Sequence, residues 1–311
     1  MNKFIPFVFF LFLASVASAQ LKVSITIDDV PNTVKYKKDN FHPALLHTLD
    51  SLKIPVTIFI NEGNIYKTEF PSRNFELLDN WAKREYITLG NHTFSHAPAS
   101  ELTLDSFETE ITRGEAITRE LAKVNKKTLA HFRFPYNNLG KDSISQWQLD
   151  SFLRRKKYDI APFTIESSDF IFADLYDHYL GEGQRTEALK IADQYIEYTI
   201  LIFDYLDSLV KAQYGRRVNQ IYLCHDNSLN AEYLPILVEK LKVKGYSFIS
   251  FEDALKDDIY KQRNYYHKKW GISWLYRWMP DDKERKKAMQ QEPELKGVIE
   301  AYNQLKEEKK K

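Results

Sequence analysis

The sequence of 311 residues holds one cysteine, Cys224, so no internal disulfide is available and the fold must be held by its core. It also lacks any excess of charge. Acidic and basic residues nearly cancel, giving a formal +1, and no basic footprint for nucleic acid is present. Past the amino terminus no apolar run is long enough to span a bilayer. Neither an internal repeat nor a low-complexity linker breaks the chain, which fits one large domain or two small ones.

The amino terminus differs. Lys3 precedes an apolar run from Phe4 to Ala14, followed by Ala17-Ser18-Ala19, the small-x-small pattern of a signal-peptidase site. Residues 1–19 are therefore expected to be a signal peptide and Gln20 the mature first residue, with export to a periplasmic or secreted location. No cysteine stands near that site, which gives no support to a lipoprotein anchor.

From there short β-type runs alternate with segments of helical period. The runs are Lys22 to Ile27, Pro55 to Ile60, Tyr86 to Leu89, Leu129 to Phe134, Tyr158 to Phe163, Gln220 to Cys224 and Tyr246 to Ser250. Strand-helix alternation implies a parallel sheet, and seven units in about 230 residues fit a distorted parallel (β/α) barrel better than an open sheet. The connection from Ile171 to Val218 exceeds what a barrel needs. Its stripe of Leu189, Ala192, Ile196, Phe203, Leu206 and Val210 reads as one long helix preceded by a loop, an insertion after the fifth strand. The barrel is expected to span residues 20–255, with 256–311 a charge-rich helical extension ending in a frayed lysine run.

Polar residues with chemical potential follow the strands: Asp28-Asp29 the first, His92 and His96 the third, Arg133-Phe134-Pro135-Tyr136 the fourth, Ser168-Asp169-Phe170 the fifth, His225-Asp226 the sixth. A parallel barrel gathers all of these on one mouth. His92 and His96 share a face if the segment turns helical, and with a carboxylate from the aspartate pair they make a 2-His-1-carboxylate metal site. Such a set also serves non-haem iron oxygenases, but their all-β scaffold is not what this alternation predicts. His42, His47, His178 and His267 lie away from the mouth and read as structural, as does His131 on the fourth strand.

In this order the motifs Thr26-Ile27-Asp28-Asp29, Asn91-His92-Thr93-Phe94-Ser95-His96, Arg133-Phe134-Pro135-Tyr136, Ser168-Asp169-Phe170 and Leu223-Cys224-His225 resemble the polysaccharide deacetylases of carbohydrate esterase family four. The resemblance runs from about Leu21 to Phe251 and implies a seven-stranded distorted barrel. It further implies that Asp29, His92 and His96 bind a divalent metal, usually zinc. By the same resemblance Asp28 is the general base, His225 the general acid, Arg133 the partner of Asp28, Asp169 the orienter of His225, and the Tyr136 backbone N–H an oxyanion donor. The implied reaction removes acetyl groups from N-acetylated or O-acetylated polysaccharide or oligosaccharide; the alternative is a non-catalytic carbohydrate-binding relative. Three departures stand out: Val30 where the family has glycine, a side chain expected to narrow the approach to the base; Phe170 where it has tryptophan; and the insertion, expected to cover the groove or add a subsite. In the extension, Trp270, Trp274 and Trp278 recur every four residues and predict an aromatic stripe on a helix, packed on its own domain or open to sugar rings.

Overall fold

The computed structural model describes residues 21–295 and 297–310; the expected signal peptide lies outside the described residues. Eight parallel strands form the sheet: β1 (Leu21–Val30), β2 (Val56–Ile60), β3 (Ile87–Asn91), β4 (Leu129–Phe132), β5 (Asp159–Ile160), β6 (Ile165–Glu166), β7 (Gln220–His225) and β8 (Tyr246–Phe248). Seven lie on one path in the order β5-β4-β3-β2-β1-β7-β6, and β8 branches off to pair with the start of β1. β2 carries apolar or β-branched residues on both faces, as a strand enclosed between barrel interior and outer helices must, whereas β1 turns Val23, Ile25 and Ile27 to one face and Ser24, Thr26 and Asp28 to the other.

The fifth predicted strand is shorter than expected, and a strand that was not predicted follows it. Tyr158 to Phe163 yields only β5, and β6 follows after four residues, at the opposite end of the path. Those four residues bring the two sheet edges together: the Ala161 N–H donates to Phe132 O (2.8 Å) and the Thr164 N–H to Ile221 O (2.9 Å). The sheet therefore curls into a distorted barrel.

Outer helices bury one apolar stripe each. The helix Ala44–Leu52 buries Leu45, Leu46 and Leu49, each worth about 1.5–3 kcal/mol against exposure. Ser143–Arg155 is started by a reciprocal cap between Asp142 and Ser145. The long insertion is not a loop plus one helix: Asp169–Gly181 and Arg185–Tyr214 are both helical and pack on one another. In the first, Ile171, Phe172, Leu175, Tyr176 and Tyr179 share one face, but Phe170, Ala173 and Leu180 lie outside it and blur the period. Beyond residue 256 the chain packs back on the barrel, burying Leu275, Tyr276 and Trp278. Among the described residues no helix is long and apolar enough to cross a membrane.

Candidate active site

A cleft of about 1370 Å³ opens over the carboxyl ends of the strands, and Asp28, Asp29, His92, His96, Tyr136 and His225 all line it. In a regular strand Asp28 and Asp29 would point to opposite faces. They do not, because β1 carries one extra residue there: its register with β2 runs from Ile27↔Ile58 to Val30↔Ile60, and Asp29 takes φ 63°. This bulge turns both carboxylates toward the cleft. Val30, just beyond, is fully buried in the core and does not line the cleft, so it leaves the approach to Asp28 open.

Asp28 is buried, with its Oδ1 accepting from Arg133 Nη1 at 2.9 Å. Arg133 is wholly enclosed, bonded also to Thr26 Oγ1 (2.6 Å) and Pro162 O (2.9 Å), with its guanidinium 4.1 Å from the centroid of Phe59. Burial presses its pKa below the ordinary value, and the Asp28 charge opposes that. The carboxylate is thus fixed by a cation with little freedom to move.

Around Asp29 Oδ1 stand His96 Nε2 at 3.2 Å and His92 Nε2 at 3.6 Å. That oxygen is shielded from solvent and has no hydrogen-bond partner, although the residue itself is partly exposed. His92 directs Nδ1 at Arg133 O (2.7 Å), which assigns the proton to Nδ1 and leaves the Nε2 lone pair facing Asp29. His96 is held at a pKa of about 4, first by burial and then by His92, and is neutral at pH 7. An orphaned carboxylate oxygen beside two imidazole lone pairs is a donor set that fits a divalent cation. It is the cluster of that kind found among the described residues.

The two histidines do not share a helical turn. Residues 92–98 form a loop, with Thr93 and His96 at positive φ, and convergence comes from the loop's path. That path is set by backbone: the His92 N–H donates to Ile60 O, Gly63 N–H to Phe94 O and Phe94 N–H to Glu110 O (2.9–3.1 Å). Gly114 lies so close that a Cβ there would stand 2.4 Å from the Thr93 carbonyl carbon, so only glycine fits. The Asn61 side chain donates to His92 O, and Ser95 N–H to Glu110 Oε2 at 2.7 Å.

On the other side His225 pairs in register with Asp28 across β1 and β7. Its Nδ1 donates to Asp169 Oδ1 at 2.7 Å, and Asp169 Oδ2 accepts from the His225 N–H (2.9 Å), Asn227 Nδ2 (2.8 Å) and Asn230 Nδ2 (2.7 Å). Burial by itself would lower the His225 pKa; the Asp169 charge and hydrogen bond outweigh it and raise it to about 10. Asp169 is correspondingly lowered, burial being overcome by His225. Phe170, in the place where the resembled family has tryptophan, is half-exposed and 5.9 Å edge-on from the His225 ring.

Tyr136 sits at φ 56° with its ring exposed and 4.5 Å from that of His96. His131 stays out of the cleft, edge-on to Phe251 (4.9 Å) with Glu252 at 3.4 Å. His42 and His47 face each other at 4.6 Å, His178 lies within the helix Asp169–Gly181, and His267 bonds Gln146 (2.7 Å). Sequence reasoning missed Glu166, which lines the cleft with its carboxyl raised to about 7 by burial and by Asp169. It also missed Asn230. No pattern marks either one. The insertion builds one wall, with Ala173, Asp174 and Asp177, and its second helix reaches the pair from behind: Tyr195 Oη donates to Asn230 Oδ1 at 2.6 Å.

Fold and site together define an α/β barrel with a candidate metal centre and a His–Asp pair at the carboxyl ends of its strands. Residues 16–150 match the family model described as polysaccharide deacetylase. A peptidoglycan N-acetylglucosamine deacetylase of known structure is 16% identical and has a TM-score of 0.50, the alignment covering 76% of this chain and 88% of that one. A family 4 carbohydrate esterase from Streptomyces lividans in complex with acetate is 19% identical, with 76% and 97% covered and a TM-score of 0.45. A CE4 family pseudoenzyme from Bacillus anthracis is 16% identical, with 76% and 66% covered and a TM-score of 0.49. At such identities the likeness is one of fold. No curated protein matches the chain.

Proposed function

We propose that the protein is a hydrolase that removes acetyl groups from an acetylated polysaccharide or oligosaccharide, with N-acetyl groups as the preferred target. The observation that carries this reading is the His225–Asp169 pair, an imidazole kept protonated at neutral pH across from the Arg133-bound carboxylate of Asp28. An amine leaves a tetrahedral centre only when protonated, whereas an alkoxide from an activated ester needs this far less. An imidazole that is charged at neutral pH is therefore matched to an amide.

Asp29, His92 and His96 would hold a divalent ion, and their mixed nitrogen and oxygen donors suit zinc. Such an ion, when bound, supplies Lewis acidity to the acetyl carbonyl and to water. The remaining work falls to the chain. Asp28 accepts a proton from the attacking water as the water oxygen bonds to the acetyl carbon, and Arg133 holds that carboxylate in place. The Tyr136 backbone N–H donates to the carbonyl oxygen as it gains negative charge. His225, with Nδ1 engaged by Asp169, gives its Nε2 proton to the nitrogen as the C–N bond breaks, leaving acetate and a free amine. The proton on Asp28 returns to His225 through solvent.

Acetate release tests the reading. Oligomers of N-acetylglucosamine are expected to be deacetylated faster than acetylated xylan, with activity abolished by chelation and restored by a divalent ion. Full activity in a demonstrably metal-free preparation, or no acetate from either substrate, overturns it.

A further inference from the structure

We propose that Trp270 forms an aromatic subsite that stacks on a sugar ring of a glycan chain, at the end of the cleft bordered by Tyr136. The proposal rests on the cleft being a deacetylase site and specifies its substrate as polymeric, because it adds a binding position beyond the acetylated sugar. The predicted stripe of three tryptophans does not exist: helix begins only at Trp274, and the three rings part ways. Trp278 is buried, edge-on to Tyr260 at 5.5 Å, and Trp274 lies 6.2 Å from it, partly covered by the barrel. Trp270 is 66% exposed and lines the same cleft as Asp28 and His225.

An exposed indole on a loose tail would carry no meaning, but this one is fastened on both sides. Gly271 lies against the Tyr136 peptide so closely that a Cβ would stand 1.8 Å from Tyr136 O, which admits only glycine. Arg277, fully buried, donates to Asn137 O (2.8 Å) and to Trp270 O (3.2 Å), linking the turn and the tryptophan through one guanidinium. Among the described residues it has no carboxylate partner, and the cost of burying its charge is offset by backbone carbonyls and by the Tyr266 and Trp274 rings, 5.2 and 5.7 Å from the guanidinium. Ser273 Oγ donates to Thr164 O (2.6 Å) and the Trp274 N–H to Phe163 O (3.0 Å), anchoring the segment on the link between β5 and β6 that closes the barrel.

The surroundings select the occupant. The cleft that Trp270 lines is also lined by Ser100, Glu101, Asn137 and Lys269, with Lys269 Nζ 5.1 Å from the indole centroid. A pyranose presents one face of C–H groups and an equator of hydroxyls, which match an aromatic face ringed by hydrogen-bonding groups. Because the Tyr136 ring is 4.5 Å from that of His96, the turn fixed to Trp270 borders the ligand cluster itself. A sugar on Trp270 is thus close to the reacting residue of the same chain.

Calorimetric binding to the full chain tests this, with the hexamer of N-acetylglucosamine and acetylated xylohexaose as probes. Trp270→Ala is expected to weaken the hexamer that wild type binds by about tenfold, the scale of a lost aromatic contact. Trp270→Phe should restore most of the affinity, and neither variant should move the thermal midpoint. Unchanged affinity in Trp270→Ala, no recovery in Trp270→Phe, or no binding of either hexamer by wild type overturns the subsite. Tryptophan-dependent binding without acetate release would instead overturn the proposed reaction and leave the subsite standing.

Discussion

The loop carrying His92 and His96 is held mainly by backbone hydrogen bonds, whereas the His225–Asp169 pair on the other side of the cleft is held by side chains. On the first side carbonyls and N–H groups of residues 60, 63, 94 and 110 set the path, and Gly114 closes against it. On the second, Asp169 collects His225, Asn227 and Asn230, and Asn230 leads on to Tyr195. Ligands to a cation need fixed lone pairs, which a rigid backbone provides. A proton donor needs a tuned charge, which a surrounding set of dipoles provides.

The sharpest way to break this contrast is at Asp28, which touches both sides through Arg133 and through its pairing with His225. Asp28→Asn is expected to cut turnover roughly 10³-fold while the protein retains its metal, because only the base is lost. His96→Ala should instead lose metal. Metal analysis and acetate release on the two variants separate them, and equal metal loss in both would erase the division between Asp28 and Asp29.

Next in size, His225→Ala is expected to slow deacetylation of N-acetyl sugars about 10²-fold and to leave hydrolysis of an activated aryl acetate far less affected. Equal loss on both substrates would make His225 a positioning group. The pair also has a pH signature. A histidine raised from its ordinary value to about 10 in the folded state adds stability that is complete below about pH 6.5 and vanishes as pH rises through 10. The thermal-midpoint gap between wild type and Asp169→Asn should accordingly close over that window.

The smallest effect tests the side-chain principle itself. Asn230 is fully buried and gives Nδ2 to Asp169 Oδ2 and to His225 O. Asn230→Ala should cost about 1–3 kcal/mol of stability through the groups left unpaired. It should also cost roughly tenfold in turnover as the imidazole loosens, with the metal content unchanged in elemental analysis. A variant with wild-type turnover would show that Asp169 orients His225 without help from Asn230.

What could be read from the sequence follows the same division. His92 and His96 lie within five residues and Asp28 and Asp29 are adjacent, so the candidate metal side was visible as a short motif. The reason given for its convergence, a helical turn, was wrong; a loop and a bulge do the work, and neither has a periodic signature. Asp169 and His225 are joined across 56 residues, and only the family resemblance coupled them. Glu166 lies on a strand of two residues, too short for alternation to register, and Asn230 sits on a helix where its neighbours are apolar. The spacing of the tryptophans promised one face, but the contact of Gly271 with Tyr136 holds that stretch out of helix.

The place of β1 in the sheet has a bearing on how the molecule comes into being. This strand is among the first segments of the described chain to be synthesised, and β2 joins it within some thirty residues, yet its other edge waits for β7 and β8, near residues 220 and 246. Until those are made, one edge of an apolar strand remains without its partner, the situation in which nascent chains aggregate or recruit chaperones. A chain that ends before residue 220 can contain Asp28, His92 and His96 and still lack the pairing of Asp28 with His225. Closure of the sheet, which sets His225 beside Asp28 and completes the candidate site, therefore comes last.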